Sequence, residues 1–225
     1  MTELDIRNFF PTYQGRCNGE LRQDAFVQAV TGSKQGGYFV EFGAMDGRCA
    51  SNTLVLEQDL AWTGILAEPA RRFHAQIGLE RQCRIDHRAV AGRSDDQLEF
   101  KEVDRQPGLS TLTAHLLSDN HGPNRQSSQG DIYLVETVSL HDLLDQHSAP
   151  YHIDYISMDT EGSELDILTE FDFGRRRIDI WTIEHNFQSV ARQRIFEIME
   201  RNGYRRMLTD MSGYDDWYVR KDMLS

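Results

Sequence analysis

Short β-rich runs alternate with stretches of helical period along the chain. Tyr38, Phe39, Val40 and Phe42 form the first apolar run. Further runs of this kind predict strands over residues 63–67, 84–91, 97–103, 133–138, 153–158 and 178–183. Two last strands are expected over 204–209 and 217–220, around Ser212-Gly213. Between them, residues 21–30 place Ala25, Phe26, Ala29 and Val30 on one helical face. Residues 52–59 and 70–79 read as helices, the latter burying Phe73 and Ile77. Residues 139–144 start a short helix, with Ser139 as N-cap and Asp142 three residues later. Residues 160–168 turn Leu165 and Leu168 inward, and 188–202 turn Val190, Ile195, Ile198 and Met199 inward. Strands alternating with helices predict an α/β fold with a mostly parallel, doubly wound sheet of seven strands. An N-terminal arm over residues 1–20, with Phe9, Phe10 and Tyr13, precedes one domain over 21–225.

The alternation fails over residues 105–131. This segment is polar and carries Gly108, Gly122, Pro123 and Gly130. A loop of that length inside a compact domain is usually functional or disordered. A lid over a bound molecule and a solvated insertion both fit it.

Chemistry concentrates first after the opening strand. Glu41 interrupts an apolar run, and a carboxylate inside a central strand is costly unless paired. Gly43 and Gly47 give the turn Gly43-Ala44-Met45-Asp46-Gly47 its backbone freedom. Ser51, Asn52 and Thr53 follow at the next helix start. Strand, glycine turn and helix N-terminus form the usual nucleotide-binding arrangement of doubly wound folds. The dinucleotide fingerprint needs a third glycine, which is missing, so an NAD(P) oxidoreductase is disfavoured. A second acid, Glu68, ends the next strand before Pro69, where it can hold ribose hydroxyls. An acid in the first strand and another ending the second resemble the S-adenosylmethionine site of class I methyltransferases.

Composition narrows the class. The chain has 225 residues and a formal net charge of −12. That charge argues against nucleic acid and anionic membranes as partners. No apolar run is long enough for a membrane span. The N-terminal residues show no secretory pattern, and the three scattered cysteines, Cys17, Cys49 and Cys83, suit a reducing cytoplasm.

The sequence resembles the FkbM-type methyltransferases. The resemblance rests on Gly37-Tyr-Phe-Val-Glu-Phe-Gly-Ala-Met-Asp-Gly47, Ser51-Asn-Thr53, Leu66-Ala-Glu-Pro69 and Ile153-Asp-Tyr-Ile-Ser-Met-Asp-Thr-Glu-Gly-Ser-Glu164, the last being the most specific. It implies a single Rossmann-like class I methyltransferase domain with a closing antiparallel hairpin. The implied cofactor is S-adenosylmethionine, and the implied reaction is O-methylation of a hydroxyl on a small metabolite, a sugar or natural-product intermediate. Glu41, Gly43, Ala44, Met45, Asp46, Gly47, Ser51, Asn52, Glu68, Pro69 and Asp159 become candidate cofactor residues. Asp86, His87, Arg88 and Ala89 follow the third strand, where the adenine is flanked; Arg88 and Ala89 are carried as candidates, while His87 reads better as an edge-strand residue. Gln23-Asp24 opens a helix near the cofactor in the family, although a helix N-terminus also favours Asp. Residues 105–131 fall where the family places its acceptor-binding segment.

Asp159 and Glu184 end neighbouring strands, with His185 and Asn186 beside Glu184. Three readings stand. Asp159, Glu184 and His185 hold Mg²⁺, or Mn²⁺ or Ca²⁺, which activates an acceptor hydroxyl. Alternatively, His185 is a general base oriented by Glu184. In the third, these residues serve local structure and the cofactor's amino group. Glu161 and Glu164 suit the helix dipole, with Glu161 also a candidate on the acceptor side. Outside the enzyme class, a non-catalytic module binding S-adenosylmethionine or a nucleotide remains open. So does a homo-oligomer.

Overall fold

The computed structural model describes residues Met1–Ser225. Helix α1 (Glu3–Thr12) is closed by a capping box between Thr2 and Asp5. Then follow α2 (Gln23–Thr31), β1 (Tyr38–Phe42), α3 (Leu54–Leu60), β2 (Thr63–Ala67), α4 (His74–Glu80), β3 (Arg84–Asp86), β4 (Ala89–Ala91), β5 (Gln97–Val103) and β6 (Thr111–Leu112). The remaining elements are α5 (Gly122–Ser127), β7 (Gly130–Ser139), α6 (Leu140–Gln146), β8 (His152–Met158), α7 (Glu164–Glu170), β9 (Arg177–Glu184), α8 (Ser189–Arg201), β10 (Tyr204–Met207) and β11 (Asp215–Arg220).

Seven strands form a mixed sheet in the order β10-β11-β9-β8-β1-β2-β3. From β9 to β3 all pairs are parallel, whereas β11 runs antiparallel to both β9 and β10. The antiparallel closing pair is therefore as expected, and the chain order inserts the last strand inside the edge. The expected third strand is in fact two. β3 stays in the main sheet. The chain then turns at His87 and Arg88 and enters a second sheet, ordered β4-β7-β5-β6.

Period-2 alternation places the core on both faces of the main sheet. Val40, Phe42, Ile156, Met158, Trp181 and Ile183 pack with α6, α7 and α8 on one face. Phe39, Leu66, Tyr155, Ile180 and Trp217 pack with α1, α2, α3 and α4 on the other. The inward set expected of α8 is corrected at Val190, which is 74% exposed; Ile195 and Met199 carry the buried face. The polar segment 105–131 is structured. It supplies β6, α5 and two 3-10 turns, and β5 and β7 frame it as a seven-residue and a ten-residue antiparallel pair.

Candidate active site

The carboxyl ends of β1, β8 and β9 share a polar layer in the sheet. Glu41 lies beside Ser157, and Ser157 beside Thr182, in register. Glu41 is buried and its carboxylate is fully answered. Ser51 Oγ donates at 2.8 Å, Asn52 N at 2.7 Å and Thr53 Oγ1 at 2.5 Å. Arg81 adds charge at 3.7 Å. The guanidinium of Arg81 is itself buried. It donates to Gly47 O, Ser51 Oγ, Thr53 Oγ1 and Glu57. Glu41 thus holds the 51–53 segment against the sheet, and Arg81 ties the glycine turn to it. No pattern in the sequence marks Arg81, because its partners lie more than twenty residues away.

The glycine turn is shaped by the strands around it. Gly43 has φ +71°, and a Cβ there would meet the Asp159 carbonyl oxygen at 2.0 Å. The need for glycine comes first from the close approach of the β1 and β8 ends. Met45 also sits at positive φ. Its N–H donates to Glu68 at 2.7 Å, and Ala70 N donates to the other Glu68 oxygen at 2.8 Å. Burial pushes the Glu68 carboxyl up to about 7, against the pull of these two N–H groups. Asp46 caps the turn locally, accepting from Arg48 N and Cys49 N. Ala44 is buried in the core.

Two adjoining cavities open here, both lined by Phe42, Gly43, Met45, Gly108, Asp159 and Glu161. The first is flanked by Glu68, Pro69, Ala89, Val90, Phe100 and Leu112. The second, about 460 Å³, reaches Ser51, Asn52, Glu184, Asn186, Phe187 and Tyr214. Both receive residues of the 105–131 segment, including Gly108 in each and His121 in the second. Of the sequence candidates, Glu68, Pro69 and Ala89 meet in the first cavity and Ser51 and Asn52 in the second. Arg88 is directed elsewhere: its guanidinium grips Asp86 at 2.6 and 2.9 Å and reaches Gln146. Burial would raise Asp86, but Arg88 and His147 hold it down at about 2. Asp24 and Gln23 also have internal partners. Asp24 accepts from Asn18 N, and Gln23 donates to Asp215.

Asp159, Glu161 and Glu184 bring carboxylate oxygens within 4.8 Å of one another. His185 is not part of this group. Successive residues of an extended chain face opposite ways, so Glu184 and His185 diverge. The His185 ring is buried, accepts from Phe187 N at 3.0 Å and faces Asp216, which Arg192 and Arg206 hold. Glu161 takes its place. It has φ +60° and leads into Gly162 at φ +130°, a backbone turn that brings its carboxylate toward Arg125 and Asn186. Burial lifts the Glu161 carboxyl to about 7, with Arg125 pulling it down. Asp159 and Glu184 rise well above the carboxylate range, first through burial, then through the charge of Glu161 for Asp159 and of Asp159 for Glu184; a hydrogen bond with Glu184 pulls Asp159 partly back down. Glu164 does not serve the dipole alone. It accepts from Thr160 N, Thr160 Oγ1 and Gly162 N, and so fixes the turn that carries Glu161.

Arg125 is the second residue the sequence did not mark. Its side chain is fully buried, bonded twice to Asp119, once to Leu109 O and once to Glu161. It anchors the 105–131 segment to the carboxylate group.

The family model for the FkbM methyltransferase domain matches residues 41–206, most of the chain. The chain belongs to the FkbM methyltransferase family. The match begins at Glu41 and contains Glu68, Asp159, Glu161 and Glu184, so the first cavity lies wholly within the FkbM domain and the second does so apart from Glu20 and Tyr214. A search of curated proteins finds no match. No helix is long and apolar enough to cross a membrane.

Proposed function

We propose that this FkbM methyltransferase domain carries a methyl group from S-adenosylmethionine to a hydroxyl of a small molecule. The observation behind this reading is the meeting of two unlike cavities at Gly43 and Asp159, one holding Glu68 and the other the carboxylate group. The residues fit the cofactor. Each Glu68 oxygen already accepts one backbone N–H and keeps a lone pair for a ribose hydroxyl. Ala89, Val90, Phe100 and Leu112 offer apolar surface to a base. Asn52 Oδ1 is buried without a partner in the wall of the second cavity, where an ammonium can meet it. The bound cofactor supplies a methyl group on a positively charged sulfur. On this reading the chain is a single class I, Rossmann-like domain, with segment 105–131 as the acceptor-side lid. The three free cysteines fit a cytoplasmic setting.

The chain's own work is to orient the acceptor and remove its proton. Asp159 and Glu184 are close and both raised by burial, which favours a state with one proton shared between them and one free carboxylate. That carboxylate is the general base for the acceptor hydroxyl. The pair would take up the hydroxyl proton when the acceptor oxygen receives the methyl group. Glu161, held by Arg125 and Asn186, supports the pair without facing it alone. A second reading is favoured by the oxygen grouping itself: Asp159, Glu161 and Glu184 would suit a hard divalent ion such as Mg²⁺.

Calorimetric titration with S-adenosylmethionine, its demethylated product and NAD tests the reading. Binding of the first two and not the third is expected. Glu68→Ala should weaken binding by about 1.5–3 kcal/mol, the loss of hydrogen bonds to a charged acceptor. A folded Glu68→Ala variant with unchanged affinity would sink it. Turnover abolished by exhaustive chelation would favour the metal reading over the carboxylate base.

A further inference from the structure

The second cavity has a one-signed wall. Its charged lining residues are Glu20, Glu41, Asp159, Glu161 and Glu184, and no Lys or Arg lines it. Two of these acids are already answered. Glu41 has Arg81 and three donors, and Glu161 has Arg125 and Asn186. Glu184 is different. It is 6% exposed, it lines the cavity, and apart from the Asp159 carboxyl no group of the chain hydrogen-bonds to its side chain. Its close polar neighbours are the carboxylates of Asp159 and Glu161. A buried carboxylate in that position is costly unless a cation reaches it.

An independent feature stands at the same cavity. Phe187 lines it yet is 61% exposed, and it follows Asn186 with both residues at positive φ. An aromatic face beside an acidic wall suits an organic ammonium on a carbon body, through cation–π attraction. It has nothing to offer a hydrated metal ion. An acceptor bearing a phosphate or carboxylate would meet these acids with no cation to receive it.

We propose that the acceptor is an amino alcohol, carrying a protonated amine near the methylated hydroxyl, with Glu184 receiving the ammonium and Phe187 covering it. This deepens the methyl-transfer reading and rests on it. The ammonium at Glu184 first releases the proton shared by the pair, so Asp159 is then a free carboxylate; during transfer the ammonium keeps its protons and Asp159 takes the hydroxyl proton. The chain's net charge of −12 would also draw such acceptors in.

The test is calorimetry on the full chain saturated with S-adenosylhomocysteine, near neutral pH and at low salt. Three probes are compared: glucosamine, N-acetylglucosamine and a glucose phosphate. Glucosamine should bind at least about tenfold tighter than its N-acetyl form, the scale of one charged contact, and the phosphate should not bind. Glu184→Gln should remove that preference while S-adenosylhomocysteine still binds, which also shows that the variant is folded; Phe187→Ala should reduce it. Equal affinity for the two amino sugars, tighter binding of the phosphate, or no binding of any probe to the saturated protein overturns the proposal and leaves the methyl donor in place. Displacement of glucosamine by Mn²⁺ bound at Glu184 overturns it in favour of a metal. Failure to bind S-adenosylhomocysteine at all instead removes the methyl-transfer reading beneath it.

Discussion

Replacing Arg125 by Met removes a buried guanidinium and keeps most of its apolar length. Four interactions go with it: two to Asp119 at 2.7 and 2.8 Å, one to Leu109 O at 3.1 Å, and the contact with Glu161. Asp119 keeps only His121 N and Asn186 Nδ2, and Glu161 keeps only the shared Asn186 Nδ2. Breaking a buried pair by removing one partner costs roughly 3–5 kcal/mol, because a charge stays behind. For a chain of this size that lowers Tm by on the order of 10 °C. The loss should depend on pH in a defined direction. Glu161 sits at about 7 with Arg125 present, and losing the cation pushes it higher. Protonation then relieves the unpaired charge, so the variant suffers less at pH about 5.5 than at pH about 8. Urea unfolding at both pH values reads this directly, and hydrogen exchange should quicken across 105–131. A loss under about 1 kcal/mol at the higher pH, or an equal loss at both, would refute the claim that this ion group pins the segment.

Three further outcomes are expected. Gly43→Ala forces a left-handed backbone on a Cβ and drives it into the Asp159 carbonyl, so it should cost about 2–4 kcal/mol in urea unfolding; a near-neutral variant would mean the strand ends can part freely. Arg81→Met should expose residues 44–53 to fast hydrogen exchange and weaken S-adenosylmethionine binding, since Ser51 and Thr53 lose their shared donor and Glu41 its nearby positive charge; unchanged exchange there would show that Arg81 only fills space. Glu68 and Asp215 are both lifted to about 7 by burial, so their contribution to stability is present below the ordinary carboxylate range and is lost as pH rises to about 7. The ligand-free protein should therefore be less stable at pH 8 than at pH 5.5, by up to about 2 kcal/mol per group, and a flat or rising denaturation midpoint over that window would contradict this.

The β-strands were legible because burial on both faces makes their runs rich in Ile, Tyr, Trp and Met, as in Ile153–Met158 and Ile178–Ile183, each with only two polar residues. The acids at strand ends were legible for the converse reason: Glu41, Glu68, Asp159 and Glu184 break or end such runs, and each sits at the cavities. What escaped was side-chain direction at a strand end. Glu184 and His185 adjoin in sequence and part in space. The break after Asp86 escaped as well. Residues 84–91 have one uninterrupted β character, and only pairing with β7 draws Ala89–Ala91 into the other sheet.

Arg81 and Arg125 show a deeper limit of pattern reading. Each lies in a polar stretch that reads as solvated surface, yet each has a side chain with no exposure. Their burial is dictated by acids that the fold brings from afar, Glu41 and Glu57 for one, Asp119 and Glu161 for the other. A buried carboxylate read from sequence thus implies a missing cation whose position the sequence does not give. Glu41 and Glu161 find theirs within the chain. Glu184 does not, and the same electrostatic requirement then points outward, to a positive group on the molecule that enters the cavity.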